Sequence, residues 1–464
     1  MLTDDSMRYM RNRGSVIQKR TMSPVAWLLC VALYASTCDA IGLVRGIKDC
    51  RCLPNNILDC PFRGKTVLQD NELCISMEVV NLQQNNLRTF PESMPPRLRI
   101  LDVSQNDIAA STPELRHLCK LEQLDVSYNR LSDFDFLPEI CSLGLLIATD
   151  NLISTITGPL QNCSRLIELR LAKNKIESVP ENYFQELGSL ELLDMSGNPS
   201  FVLQGGEFKG LRKLQYLGLK SNEISELPAD IFFDLVNLEI LDLRYNNISN
   251  LPAKVFRSLE KLEQLYLQRN NLRELPASLL ESQKALRKLV LDDNQLESLP
   301  RDLLVRLHQL EDLSVRGNRL TEVPDALGRY WGPLRTALFS DNLIAAPSEE
   351  SLRPLLRPGL QVADLEGNPV RPEALAWLLD AQSDLRAAAD AQDCACGTLS
   401  LRDVRAVGDV RLCVYLPCGD DPGAADALPD WLAVVRAARR DPGRFKAVDA
   451  APRPRRRAAP APLA

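Results

Sequence analysis

Leucines recur along most of this chain in a fixed frame that ends on an asparagine. In "LEILDLRYNNISNLPAKVF", residues 238–256, Leu241 and Leu243 alternate at the two-residue period of a strand, and Asn246 follows them. The frame L-x-x-L-x-L-x-x-N-x-L places this asparagine thirteen times, at Asn85, Asn106, Asn129, Asn151, Asn174, Asn198, Asn222, Asn246, Asn270, Asn294, Asn318, Asn342 and Asn368. Seven consecutive steps are 24 residues long, which is typical of a solenoid repeat.

One repeat of this kind has an apolar side and nothing to bury it against. Stacked repeats cover one another, and their strands then form a parallel sheet. After each strand the chain turns sharply and leaves backbone N–H and C=O groups inside the coil. Because a short amide side chain can donate and accept, we expect each asparagine to bond the backbone of its own turn and of the next. The asparagine ladder is therefore predicted to be structural.

A second series of buried positions lies in the other half of the repeat. Phe184, Phe208, Phe232 and Phe256 recur every 24 residues in L-P-x-x-x-F-x-x-L patterns, and Leu280 and Leu304 replace them later. Together the two frames resemble the extracellular, 24-residue class of the leucine-rich repeat family, over residues 77–370. The resemblance implies an α/β solenoid, a leucine-rich repeat horseshoe with a parallel β-sheet on its concave face and cysteine-stapled end caps. We expect it to stack as one extended unit.

The N-terminal segment predicts the compartment. In "MSPVAWLLCVALYASTCDA", residues 22–40, an apolar run ends in small residues, and five basic residues precede it. This is typical of a secretory signal peptide, here residues 1–40 with an extended basic leader, cleaved after Cys38 or Ala40. An uncleaved anchor or a chance apolar stretch is the alternative. We expect a secreted, extracellular product with no membrane span after signal cleavage.

Cysteines cluster on both sides of the repeats, which suits an oxidising compartment. The cluster within residues 41–76 resembles the family's N-terminal cap, and this implies disulfides from Cys50 and Cys52 to Cys60 and Cys74, in either of two pairings. The cluster within residues 371–445 contains Cys394, Cys396, Cys413 and Cys418. It is only cap-like, because its "LAWLLDAQ" precedes the cysteines. Zinc is the alternative there, but the spacing is poor for it.

Three further cysteines and two sequons lie among the repeats. Cys119, Cys141 and Cys163 are 22 residues apart, so they fall one repeat apart. Cys119 and Cys141 hold the same frame position and could form a bridge, and buried free thiols are the alternative. The motifs Asn162-Cys163-Ser164 and Asn247-Ile248-Ser249 predict glycosylation at Asn162 and Asn247, both in surface turns.

The remaining composition argues against several classes of function. The net charge of −6 gives no reason to expect nucleic acid. With two histidines and no phosphate loop or nucleophile elbow, the chain is predicted not to be an enzyme and to need no metal or cofactor. Aspartates at strand positions 102, 125, 194, 242 and 364 are interpreted as solvated polar residues. Residues 446–464, rich in Pro, Arg and Ala, are predicted to be a disordered tail.

Function is therefore expected to rest on the concave face. The outward strand positions of repeats seven to ten hold Tyr216, Lys220, Asp242, Arg244, Gln264, Tyr266, Gln268 and Lys288. Tyrosine and arginine are enriched in binding hot spots, although tyrosine also favours strands in general. We predict that this face binds a protein ligand or receptor, in adhesion, developmental signalling or innate recognition as the resemblance implies. The alternatives are a cytosolic signalling scaffold and a non-catalytic subunit of a secreted enzyme. The pattern leaves the ligand and the oligomeric state open.

Overall fold

The computed structural model describes residues 51–53, 57–60, 77–91, 94–109, 115, 117–137, 141–324, 333–352, 362–369, 398–401 and 412–415. The chain divides into two compact units, residues 1–246 and 247–464, where the sequence predicted one extended stack. Each coil of a repeat protein contacts only its neighbours, so no single core holds such a chain together. The predicted signal peptide and the predicted tail lie outside the described residues.

The described residues of the first unit form ten strands of three residues each. They are β1 Arg51–Leu53, β2 Ile57–Asp59, β3 Val79–Asn81, β4 Ile100–Asp102, β5 Gln123–Asp125, β6 Leu145–Ile147, β7 Glu168–Arg170, β8 Leu192–Asp194, β9 Tyr216–Gly218 and β10 Ile240–Asp242. β1 and β2 pair antiparallel, and every later neighbouring pair in this unit is parallel. Two short 3-10 helices cover Gly158–Asn162 and Tyr183–Glu186.

The second unit continues the same pattern of strands. β11 Gln264–Tyr266, β12 Lys288–Val290, β13 Asp312–Ser314, β14 Thr336–Leu338 and β15 Val362–Asp364 pair in parallel. β16 Thr398–Leu401 and β17 Leu412–Tyr415 form a separate antiparallel pair. The helices α1 and α2 are single turns, Arg301–Leu304 and Glu349–Leu352. The predicted parallel solenoid is confirmed in each unit.

The register stacks leucine on leucine inside each coil. In β9 and β10, Leu217 pairs with Leu241, and both are fully buried. The predicted phenylalanine positions are buried as well, and the rings of Phe208 and Phe232 stack with their centroids 6.4 Å apart. Leu280 and Leu304 occupy the same position in later coils and are also buried. We call this row of buried Phe and Leu side chains the spine.

The asparagine ladder bonds the backbone of its own turn as predicted, but its second set of bonds goes to the preceding coil rather than to the next. Asn246 Nδ2 donates to the carbonyl of Leu243 in its own turn at 3.0 Å and to that of Leu219 in the preceding coil at 2.9 Å. Its Oδ1 accepts from the backbone N–H of Ile224 at 3.1 Å. Asn222 is the exception in this series, because its buried Nδ2 has no hydrogen-bond partner among the described residues.

The residue just before each ladder asparagine adopts a left-handed backbone. Tyr128, Asp150, Lys173 and Tyr245 all have φ between 54° and 58°, and Gly197 takes the same place in another coil. A left-handed residue turns the chain out of the strand so that the asparagine that follows points inward. The side chain of the left-handed residue itself lies at the edge of the sheet. This row of edge residues was not predicted from the sequence.

Candidate functional site

On the outer face of the sheet, opposite the leucine core, several side chains are more deeply buried than the sequence predicted. Tyr216, Asp242 and Arg244 were expected to be exposed there, but they are 5%, 2% and 7% exposed. Tyr266 in the second unit is buried as well. Since none of these positions faces the leucine core, their burial comes from packing between side chains on the outer face. The prediction of their exposure is wrong.

A glycine makes room for Tyr216 on this face. A Cβ added to Gly218 would lie 3.1 Å from the Tyr216 ring and 2.6 Å from Asp194 Oδ1. The tyrosine ring therefore lies against its own strand, over the place where Gly218 has no side chain. Burial raises the pKa of Tyr216 well above its ordinary value, and Asp194 and Asp242 raise it further. The phenol is thus held neutral inside a polar cluster.

Ion pairs between residues two positions apart in the same coil complete the cluster. Arg244 Nε and Nη2 donate to the two carboxylate oxygens of Asp242, at 2.8 Å and 2.5 Å, so the pair is bidentate. Arg170 Nε also donates to Glu168 Oε1, two residues away on β7, through a single contact. Residues at i and i+2 of a strand point to the same face, which is why these pairs form. The buried charges of Asp242 and Glu168 are therefore each paired with an arginine.

In the row of aspartates at the strand ends, Asp242 is buried and the other four are half-buried, whereas the sequence suggested solvated side chains. Asp102 and Asp125 each accept hydrogen bonds from the hydroxyl and the backbone N–H of the serine two residues later. Burial raises the pKa of both, and that of Asp194. For Asp125, burial first and then the charge of Asp102 raise the pKa to about 6.

Two tyrosines among the described edge residues of the first unit, Tyr128 and Tyr245, are exposed, and the second is paired with a lysine. Tyr245, one of the edge residues, is 42% exposed, and Lys220 Nζ lies 5.0 Å from the centroid of its ring. Lys220 itself is half-buried. A cation over an aromatic face restrains both side chains while each still reaches solvent. Tyr245 was missed by the sequence analysis, since the repeat frame counts its position as a turn.

In the second unit, three of the predicted residues contact one another. The Tyr266 hydroxyl donates to Gln264 Oε1 at 2.8 Å, and Lys288 Nζ lies 5.6 Å from the Tyr266 ring centroid. Gln264, Gln268 and Lys288 are half-buried. Within the described part of the chain, Gln268 Oε1 has no hydrogen-bond partner. These residues form an amide, aromatic and ammonium group on β11 and β12 that can both donate and accept.

A charged network that the sequence analysis missed follows on the same unit. Arg316 donates to Ser340 Oγ at 2.7 Å and to Asp364 Oδ2 at 2.9 Å, so it bridges three consecutive coils. Asp292 accepts from Ser314 Oγ and from the backbone N–H of Arg316. Burial raises the pKa of Asp292, although these hydrogen bonds act to lower it. The sequence signal was present, because all five residues occupy outward frame positions.

The cysteines and sequons have distinct environments. Cys141 and Cys163 form a disulfide with a Cα–Cα distance of 4.7 Å, while Cys119 is an exposed free thiol. The expectations of a Cys119–Cys141 bridge or of three buried thiols are therefore wrong. Cys60 is buried and disulfide-bonded, and the side chains of the other predicted cap cysteines lie outside the described residues. Asn162 and Asn247 are both exposed.

Neither a metal cluster nor a membrane-spanning helix occurs in the described part of the chain. No three or more His, Cys, Asp or Glu side chains there are placed to hold a metal ion. No helix in the same residues has both the length and the apolar character that crossing a bilayer requires.

Matches to known proteins agree with this geometry. Residues 212–272 and 265–320 match the family model described as leucine rich repeat, and residues 96–139 match that for leucine rich repeats in two copies. Osteomodulin of Rattus norvegicus is 36% identical over 130 residues, which cover 26% of this chain and 30% of osteomodulin. Keratocan of Danio rerio is 29% identical over 158 residues, 32% of this chain and 38% of keratocan. The chain thus spans well under half of each relative.

Solved structures extend the similarity to most of the repeats. A leucine-rich repeat protein of Leptospira interrogans superposes with a TM-score of 0.61 at 26% identity, covering 68% of this chain and 79% of that protein. Toll, from the Drosophila Toll–Spätzle complex, superposes with a TM-score of 0.59 at 22% identity over 68% of this chain and 45% of Toll, and shows the same fold. The matched segments, residues 96–139 and 212–320, are leucine-rich repeats. The chain's relatives osteomodulin and keratocan are extracellular members of the leucine-rich repeat family.

Proposed function

We propose that this chain is a secreted leucine-rich repeat protein that binds a protein ligand or receptor through the outer face of its sheet and is not an enzyme. The observation that carries the proposal is the fixed placement of charged, amide and aromatic groups on that face, each held by another side chain of the same coil or of the adjacent one. A rigid surface of this kind loses little side-chain entropy on binding. In the first unit alone, ten strands at ~4.8 Å spacing offer a face roughly 40 Å long, which suits a protein rather than a small molecule.

The burial of several predicted site residues divides them into two roles. Lys220 in the first unit, and Gln264, Gln268 and Lys288 in the second, are half-buried and reach solvent, so we assign them direct contact with the ligand. Tyr216, Asp242, Arg244 and Tyr266 are buried and position those neighbours. The exposed ring of Tyr245 adds a contact residue beside Lys220.

The disulfide between Cys141 and Cys163 supports an extracellular protein over a cytosolic scaffold, since such bonds persist in oxidising compartments. We propose the same setting for the caps, with disulfides among Cys50, Cys52, Cys60 and Cys74 and among Cys394, Cys396, Cys413 and Cys418. Glycans at Asn162 and Asn247 would extend into solvent, because both side chains are exposed.

Secretion is tested by expressing the full chain in cultured animal cells. We expect the protein in the medium, with an N-terminus near residue 39 or 41 and a mobility that increases on enzymatic removal of N-glycans. Recovery of intact residues 1–40 in the cytosolic fraction would contradict secretion. The expressed protein carries no N-terminal tag, so that sequencing its N-terminus in either fraction identifies the cleavage site directly.

Binding is tested by screening the purified full chain against a panel of extracellular domains and matrix proteins, followed by affinity measurement. Replacing Lys220, Tyr245 or Lys288 with alanine is expected to weaken the measured affinity by ~1–2 kcal/mol each. Lys209→Ala is the control, because this exposed lysine follows Phe208 of the spine rather than a strand. If the three variants keep wild-type affinity while Lys209→Ala loses it, the ligand binds on the spine side and the assignment to the outer face is wrong.

A further inference from the structure

Three cysteines lie in consecutive coils of the first unit. Cys141 and Cys163 are joined, and Cys119 lies one coil before Cys141 as an exposed thiol. Cys119 precedes β5 by four residues and Cys141 precedes β6 by four, so the two occupy equivalent places in adjacent coils. Their backbones are close, because the Ser142 hydroxyl donates to the carbonyl of Cys119 at 2.7 Å.

We propose that these residues form a three-cysteine exchange set, in which the Cys119 thiol can displace Cys163 from Cys141. In this reaction the Cys119 thiolate attacks Sγ of Cys141, the Cys141–Cys163 bond breaks, and a Cys119–Cys141 bond forms. The proton lost by Cys119 is balanced by the one that the departing Cys163 thiolate takes up. The exchange therefore needs neither oxidant nor reductant.

The stacking favours attack on the middle sulfur. Disulfides require a Cα–Cα distance of about 4.4–6.8 Å, and adjacent parallel strands are about 4.8 Å apart. The existing bridge spans one such step at 4.7 Å. Because Cys119 and Cys163 lie on opposite sides of Cys141 along the stack, attacking and leaving sulfurs can align through the central one, as exchange requires. Direct pairing of Cys119 with Cys163 spans two steps, roughly 9–10 Å, and is too far.

Exchange would move the disulfide bond by one coil towards the N-terminus. In the present arrangement the reactive thiol is exposed and both bonded cysteines are buried. After exchange the free thiol would belong to Cys163, which is fully buried in this structure. The set therefore switches between one form that a solvent thiol reagent can modify and one that it cannot.

Peptide mapping of the full chain tests this directly. Free thiols are blocked with N-ethylmaleimide in native buffer at fixed times, and the acid-denatured protein is then digested with trypsin and Asp-N. Lys120 separates Cys119 from Cys141, and Asp150 separates Cys141 from Cys163, so every linkage gives its own peptide pair. We expect native blocking of Cys119 to fall with time at pH 8 as a Cys119–Cys141 peptide appears. Cys119 that stays fully blockable, with only the Cys141–Cys163 peptide present, would overturn the proposal.

Two variants give an independent readout. In a glutathione redox buffer, Cys163→Ser should form the Cys119–Cys141 bridge and lose reaction with N-ethylmaleimide at Cys119. Cys141→Ser should form no Cys119–Cys163 bridge, because the shared sulfur is gone. A Cys163→Ser protein that keeps Cys119 free or glutathionylated, or a Cys141→Ser protein that links Cys119 to Cys163, contradicts the geometry. If either variant fails to fold, the wild-type time course alone decides.

Discussion

The inside of the coil and the outer face of the sheet are built by different rules. Inside, the same residue type solves the same problem repeatedly, as with the ladder asparagines and the spine phenylalanines. On the outer face the contacts differ from one group of strands to another. Aspartates accept from serines on β4 and β5, Gly218 makes room for Tyr216, Asp242 and Arg244 form a bidentate pair, and a lysine lies over Tyr266.

The interior repeats and the outer face varies because their side chains bond different kinds of partner. An interior asparagine bonds backbone groups, and backbone geometry is the same in every coil. An outer side chain is satisfied by another side chain, so each substitution changes what its neighbours require. Interior positions therefore repeat along the sequence, whereas outer positions vary and are free to specify a ligand.

The largest expected effect is on the spine. Phe232→Ala removes a fully buried ring that stacks on Phe208, and should lower the free energy of unfolding by about 3–5 kcal/mol. The neighbouring Phe233 is 55% exposed, and Phe233→Ala should change stability by no more than about 0.5 kcal/mol. Urea unfolding midpoints of the two variants test this contrast. Equal losses would mean that the spine is not the main apolar support of these coils.

Substitutions in the asparagine ladder should lower the stability less than Phe232→Ala does, and two ladder positions should differ from each other. Asn246→Ala removes donors to Leu219 and Leu243 and the acceptor of Ile224, which should cost about 1–3 kcal/mol. Asn222→Ala should cost less, since Asn222 Nδ2 already lacks a partner among the described residues while its Oδ1 accepts from Asn198 N–H. Thermal midpoints provide the measurement. A wild-type midpoint for Asn246→Ala would refute the structural role of the ladder.

On the outer face, Asp125→Asn should stabilise the protein at neutral pH. The folded pKa of about 6 lies above the unfolded value near 3.9, so the stabilising contribution of this proton is full below about pH 4 and lost as pH rises through 6. Asparagine keeps the acceptor for Ser127 without the buried charge. We expect a gain of about 1–2 kcal/mol at pH 7.5 and roughly a third of that at pH 4.5, where the unfolded carboxyl is already mostly ionised.

That comparison needs a host without N-glycosylation, because the change creates an Asn-Val-Ser motif at residues 125–127. Bacterial periplasmic expression meets this need and still permits disulfides. Asp230→Asn, at an exposed position, is the matched control and should show no difference between the two pH values. A gain for Asp125→Asn that is the same at both pH values would show that burial of its charge is not the cause.

The smallest expected effect concerns the Arg316 network. Arg316→Lys keeps the charge but cannot reach Ser340 and Asp364 with two separate nitrogens, and should cost at most about 1 kcal/mol because the site is largely exposed. Arg319→Lys, at another exposed position of the same coil, should leave the unfolding midpoint unchanged. A loss of several kcal/mol for Arg316→Lys would mean that the outer face supports the fold as strongly as the interior does.

The sequence predicted which residues lie on the outer face better than it predicted which of them reach solvent. The repeat frame placed Gln264, Tyr266 and Lys288 on adjacent strands, and their mutual contacts agree with that placement. It also predicted that Tyr216 and Arg244 would be exposed, which is wrong. Exposure depends on whether a neighbouring side chain is absent, as at Gly218, or is of opposite charge, as at Asp242, and a frame that treats these positions as variable carries no such information.

The leucine frame, the asparagine ladder and the phenylalanine series determined the solenoid by themselves, because each position meets its own copy in the next coil. Only the tertiary structure decided which cysteines are joined, since Cys119, Cys141 and Cys163 are equally spaced and the choice depends on side-chain direction. It alone also decided which outer residues reach solvent. Both depend on contacts between unlike side chains, which no repeat period records.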